Sequence, residues 1–172
     1  VYRGIAPVSA GIDTLGGAIK VNLKKAEVDT GATLGGDLAL SYNDINDAST
    51  FAGDLNISNE NTGVLLYLTD QQGDDYQDGD GNTISSTQYN KQQYGADLRH
   101  QQDDWEIGLT WHHAETDDSG TPALPMDIDY IESDRYSLDG KLQLSDWQLS
   151  WQLGYQDAVH GMDSFSQRVS MD

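Results

Sequence analysis

Apolar and polar residues alternate along much of the chain with a period of two. From position 105 one set of alternate residues is Trp105, Ile107, Leu109 and Trp111, and the other is Glu106, Gly108, Thr110 and His112. From position 147 the apolar set is Trp147, Leu149, Trp151, Leu153 and Tyr155, set against Gln148, Ser150, Gln152, Gly154 and Gln156. Between them Tyr136, Leu138, Leu142 and Leu144 oppose Arg135, Ser137, Asp139, Lys141 and Gln143. Weaker alternation occurs at Leu38, Leu40 and Tyr42, at Phe51, Leu55 and Ile57, and at Tyr94, Ala96 and Leu98. Successive side chains of a strand point to opposite faces, so this pattern predicts strands with one apolar and one polar face. Helical periodicity is almost absent. The pattern predicts an all-β, antiparallel fold with seven strands at about 34–43, 51–58, 62–70, 89–100, 105–116, 134–144 and 147–158, and an eighth from Ser164 to Met171.

Several of these strands are long. A globular strand averages about 5–6 residues, whereas a tilted membrane-spanning strand needs about 9–11. Trp105 and Trp111 bracket one apolar stretch, and Trp147 and Tyr155 another. Aromatics at both ends of an apolar stretch suit a bilayer with two interfaces. The connections alternate in length. Those at 59–61, 101–104 and 145–146 are short, whereas those at 44–50, 71–88 and 117–133 are longer and acidic. In an antiparallel meander, alternate connections share an end, so the short turns gather on one side and the long loops on the other. Outer-membrane barrels sort their connections in this way.

Composition narrows the function. The chain has 172 residues, with 29 acidic and 9 basic side chains and a net charge of -20. A nucleic-acid footprint needs clustered Lys and Arg, and the composition excludes it. There is no Cys, which excludes thiolate metal sites and cysteine nucleophiles. The charge is unevenly placed. Arg3, Lys20, Lys24 and Lys25 oppose Asp13 alone in residues 1–25, while acids dominate thereafter. That asymmetry divides the chain into a segment 1–25 and a strand-rich segment 26–172.

Segment 1–25 is punctuated by Gly4, Gly11, Gly16 and Gly17 and ends in a short alternation from Ala18 to Leu23. Arg3, Gly4, Pro7, Ser9, Gly11, Gly16, Gly17, Ile19 and Val21 resemble the closing part of the plug domain of TonB-dependent outer-membrane receptors. Pro7 is displaced from its usual place after the Arg-Gly, Ala10 stands where Tyr is common, and Lys20 replaces a frequent Asn. A plug ending followed at once by long alternating strands is more specific than the motif alone. The resemblance implies a fragment comprising the end of the plug and the first seven to eight strands of a transmembrane β-barrel of about 22 strands. It further implies the bacterial outer membrane, lipid around the barrel, and the TonB energy-transducing complex as partner.

The segment after the seventh strand, Val159-His160-Gly161-Met162-Asp163, is expected to be an external loop, as is the loop that carries Met126. An imidazole and thioethers suit copper, above all Cu(I). His160 with Met162, and the run Ala123-Leu124-Pro125-Met126-Asp127, resemble the copper branch of these receptors, which implies copper as cargo and not a resident cofactor. His112 and His113 are adjacent and therefore face opposite sides; His112 is expected in the lumen near its outer mouth, within reach of cargo. Asp78-Gly79-Asp80-Gly81-Asn82 opens like a calcium loop, but Thr83 and Tyr89 replace the Gly and Glu such a loop requires. No nucleophile elbow and no His-Glu-x-x-His is present, so an importer is expected and not an enzyme. A hydrolase would use His112, Asp117 and Asp118 at the barrel mouth. A ferric-siderophore receptor and a soluble β-sandwich binding module are also compatible with the alternation.

Overall fold

The computed structural model describes residues 23–124 and 126–163 in full, and the backbone of residues 2–3 and 17–18. A short pair comes first, β1 (Tyr2–Arg3) beside β2 (Gly17–Ala18). The long strands are β3 (Thr33–Asn43), β4 (Ala48–Ser58) and β5 (Thr62–Gly73). A small hairpin, β6 (Tyr76–Gln77) and β7 (Thr83–Ile84), separates them from β8 (Tyr89–Gln102), β9 (Trp105–Ser119), β10 (Asp127–Leu144) and β11 (Trp147–Asp163). The long strands form one seven-stranded antiparallel sheet in the order β11-β10-β9-β8-β5-β4-β3, a meander in which each long strand pairs with the next. All seven expected strands are present. The expected eighth, Ser164 to Met171, and the plug-motif residues Gly4, Pro7, Ser9, Gly11, Gly16, Ile19 and Val21 lie outside the described residues. Arg3 and Gly17 are backbone partners in the β1–β2 pair.

Two expectations are corrected. Residues 127–133 are strand and not loop, paired with β9 and with the far end of β11. Val159–Asp163 is likewise strand, so His160 and Met162 sit on β11 and not in an external loop. A bulge between Ile128 and Tyr130 shifts the alternation there by one residue. That shift hides the strand from a period-two reading.

The register explains the two faces. Leu34, Ile57, Val64, Leu98, Leu109, Leu138 and Leu153 stand opposite one another in a single row across all seven strands. The next row toward the loops carries Leu55, Leu66, Trp111, Tyr136 and Tyr155. Directly opposed residues share a face, so these side chains form one apolar band. On that band Gly140 lies opposite Trp151, and a Cβ at Gly140 would come within 2.5 Å of the indole.

Burial runs against the usual rule. Leu34 is 72% exposed and Leu153 65%, while Asp97 is 0% and Arg99 4% exposed. Lys, Arg and Asp are rarely buried without partners, so the charged face must be internally satisfied. Part of its cover is an irregular segment, residues 24–27, that crosses the polar face. The Ala26 amide donates to Asp97 Oδ1 at 2.8 Å and the Glu27 amide to Asn56 Oδ1 at 3.0 Å. Asn56, Leu65 and Asp97 are consecutive in one row, so Leu65 is sealed between the two contacts. Gly63 lets the segment approach: a Cβ there would collide with the Glu27 carbonyl.

The connections sort by end. Residues 59–61, 103–104 and 145–146 close one end; residues 44–47, 74–88 and 120–126 lie at the other. Asp103 and Ser145 adopt positive φ, which two-residue hairpin turns demand.

Candidate ligand-binding face

The polar face holds two chemically different regions. Near the short turns, Arg99 organises an ion network. Arg99, Gly108 and Asp139 occupy one row on β8, β9 and β10. Because Gly108 has no side chain, the guanidinium lies across it and reaches the third strand; a Cβ at Gly108 would sit 2.7 Å from Arg99 Cζ. Arg99 Nη2 and Nη1 donate to the two Asp139 oxygens at 2.9 and 3.1 Å, a bidentate pair. Arg99 Nε donates to Asp97 Oδ1 at 2.9 Å, and Nη1 also to Glu106 Oε1 at 2.8 Å. Thr110 Oγ1 donates to Asp97 Oδ2 at 2.6 Å. Lys141 meets Glu106 at 2.9 Å and Lys25 meets Asp139 at 3.2 Å. Arg99, with Lys141 and Lys25 at its half-exposed margins, balances Asp97, Asp139 and Glu106, so the network is neutral and every carboxylate oxygen in it has a partner.

His112 lies farther toward the loops, on the polar face as expected, in the row of Tyr67, Gly95 and Arg135. Its Nδ1 is 2.9 Å from the Tyr67 hydroxyl and the rings stack at 5.9 Å. Gly95 leaves the space that the Tyr67 ring fills. At the loop end, His160 and Met162 share the polar face of β11, and Met162 is directly opposite Ile128. Met126 immediately precedes β10, at the same end of the sheet as His160 and Met162. Met162 and Met126 are exposed, and His160 is exposed too. His112 does not join them. It lies two strands and four residues away, roughly 16 Å at ordinary strand spacing.

The connections at 44–47 and 74–88 are acidic, and the second is closed by its own hydrogen bonds. Asp78 accepts the Asp80 and Asn82 amides on Oδ1, at 2.9 and 2.8 Å, and the Asn82 side-chain amide on Oδ2 at 2.9 Å. Led by the Asn82 side chain, these donors hold its carboxyl below the ordinary aspartate value. The Asp78–Asn82 run is a hydrogen-bonded turn whose carboxylate is already engaged. Beside it, Asp47, Asp74, Asp118, Gln88 and Tyr89 border an open depression of about 340 Å³. Away from these loops, Lys24 Nζ is 2.7 Å from Asp54 and 3.5 Å from Asp37. The Asp54 hydrogen bond raises the Lys24 pKa above its ordinary value.

Sequence reasoning placed Glu106, Asp139 and Lys141 on polar strand faces but did not give the pairing. A signal existed: a two-residue turn at Asp103–Asp104 sets Arg99 opposite Gly108 and Asp97 opposite Thr110. Comparisons of the chain with protein families, with characterised proteins and with solved structures return no match.

Proposed function

We propose that this chain belongs to a TonB-dependent receptor of the bacterial outer membrane that imports a scarce metal or metal complex, with copper favoured over a ferric siderophore. The observation that carries the proposal is the inverted burial of the sheet: a seven-strand row of exposed aliphatics backed by buried, neutralised charges. Hydrocarbon against the Leu34–Leu153 row and a plug or water against the Arg99 side account for both faces at once. Strands of 11 to 18 residues and the separation of short turns from long acidic loops support the same reading. On this reading the sheet is an arc of a closed barrel, residues 1–25 end the plug, and tension from the TonB complex reaches the wall through Lys24, Lys25 and Ala26. A soluble sandwich would need a second sheet over the aliphatic row, and among the described residues nothing covers it.

His160, Met162 and Met126 are the residues proposed to meet the cargo. Imidazole and thioether donors at a mouth lined by acids attract a cation and select a soft one. We assign no catalytic group.

The membrane reading is tested with spin labels at Leu109 and Leu149 of the intact protein in lipid. Quenching by oxygen with shielding from a polar nickel chelate is the expected result; the reverse pattern ends the proposal. The cargo is tested separately. His160→Ala combined with Met162→Ala should weaken Cu(I) binding at least tenfold, and unchanged affinity would remove copper while leaving the receptor.

A further inference from the structure

We propose that His113, Glu132 and Asp134 form a binding site for a divalent ion of the zinc class, on the apolar face of the sheet and apart from the His160–Met162 corner. One donor atom from each of the three residues lies within 4.8 Å of the others. The register makes this triangle. Asp134 on β10 is directly opposite His113 on β9, and Glu132 is two residues along β10 on the same face. Donors held on paired strands keep their spacing better than donors on loops.

The neighbours fix two of the donors. Trp111 Nε1 donates to Asp134 Oδ1 at 3.0 Å, and His113 Nδ1 lies 3.1 Å from the same oxygen. Tyr94 stacks on the His113 ring at 4.8 Å and meets Trp111 edge-on at 5.6 Å. Ligands oriented from behind in this manner are what tune a metal site. Two ligand atoms on a tetrahedral zinc at ordinary bond lengths stand about 3.3 Å apart. The His113–Asp134 separation is already close to that edge, so an ion replaces the hydrogen bond with little movement. His113 is 7% exposed, whereas Glu132 is exposed and forms the open side.

The donor set selects the ion. One imidazole and two carboxylates suit zinc or cobalt; calcium takes about six to eight oxygens, and Cu(I) prefers sulfur. The charge around the site points the same way. Glu115 stands opposite Glu132 and Asp157 opposite Asp134, with Asp70 and Asp117 on the same face. The cations of these strands, Lys91, Arg99, Arg135 and Lys141, all lie on the other face. A divalent ion offsets a concentration of negative charge that no cation of the described strands balances on this side. The inference stands on the strand register and does not depend on the membrane reading.

The test is a Co²⁺ titration followed by absorption, with Zn²⁺ competition, on the intact protein in detergent. Saturable binding is expected, and His113→Gln or Glu132→Gln should each weaken it at least tenfold, since disturbing outer partners alone costs about 10–100-fold. Glu132 is exposed, so Glu132→Gln preserves the fold if His113→Gln does not. His160→Ala with Met162→Ala should leave Zn²⁺ affinity within twofold. No saturable binding, full affinity in Glu132→Gln, or loss only in the His160/Met162 variant would each overturn the assignment.

Discussion

The two ends of the polar face solve opposite problems. At the turn end, Arg99 spans three strands, every nearby carboxylate meets a cation or a hydroxyl, and Asp97 is sealed beneath Ala26. At the loop end, His160, Met162 and Met126 stand exposed. A buried charge that loses its partner is left uncompensated, whereas an exposed imidazole or thioether is restored by water. The contrast teaches that polar groups serve two ends here: where they are saturated they hold the wall, and where they are open they are available to a ligand.

The comparison breaks first at Arg99. Arg99→Met strands Asp97 and Asp139 and should cost about 3–5 kcal/mol, measured by urea unfolding in detergent micelles. A loss under about 1 kcal/mol would mean that the network is decorative. Thr110→Val removes one donor from Asp97 and should cost about 1–3 kcal/mol in the same assay. His160→Ala with Met162→Ala should shift stability by no more than about 0.5 kcal/mol, because neither group is buried. A large destabilisation there would make the loop end structural as well, and the contrast would vanish. The smallest effect concerns Asp78. Its folded pKa is depressed, so the stabilisation of its turn is present above the unfolded value of about 3.9 and is lost as pH falls through the folded value. A carboxyl titration by ¹³C NMR should find Asp78 below the aspartates of an unfolded peptide, and Asn82→Ala should bring it back up.

Much of the fold was legible in the sequence because one face of each strand is apolar. The rows from Trp105 and Trp147 announce themselves, and of the short connections expected at 101–104 and 145–146 the structure tightens the first to a two-residue turn at 103–104. The first third of β10 was not legible. Asp127, Asp129 and Glu132 resemble a solvated loop, and the bulge before Tyr130 breaks the period at the place where the strand begins. Pairing with β9 and β11 overrides both local signals. The same gap concealed the His113 site. That His113 turns away from His112 followed from adjacency alone, but its meeting with Glu132 and Asp134 depends on the β9–β10 register. The connection at 120–126 fixes that register, and no short-turn rule gives it.

Gly140 has a use beyond packing. With no side chain beneath it, the Trp151 indole rests over the β10 backbone at one margin of the aliphatic row. This makes Trp151 a natural optical gauge, since its emission colour reports the wetness of that margin without any attached dye. Gly140→Ala would tilt the ring off its seat and shift that colour while leaving Leu138 and Leu153 in place.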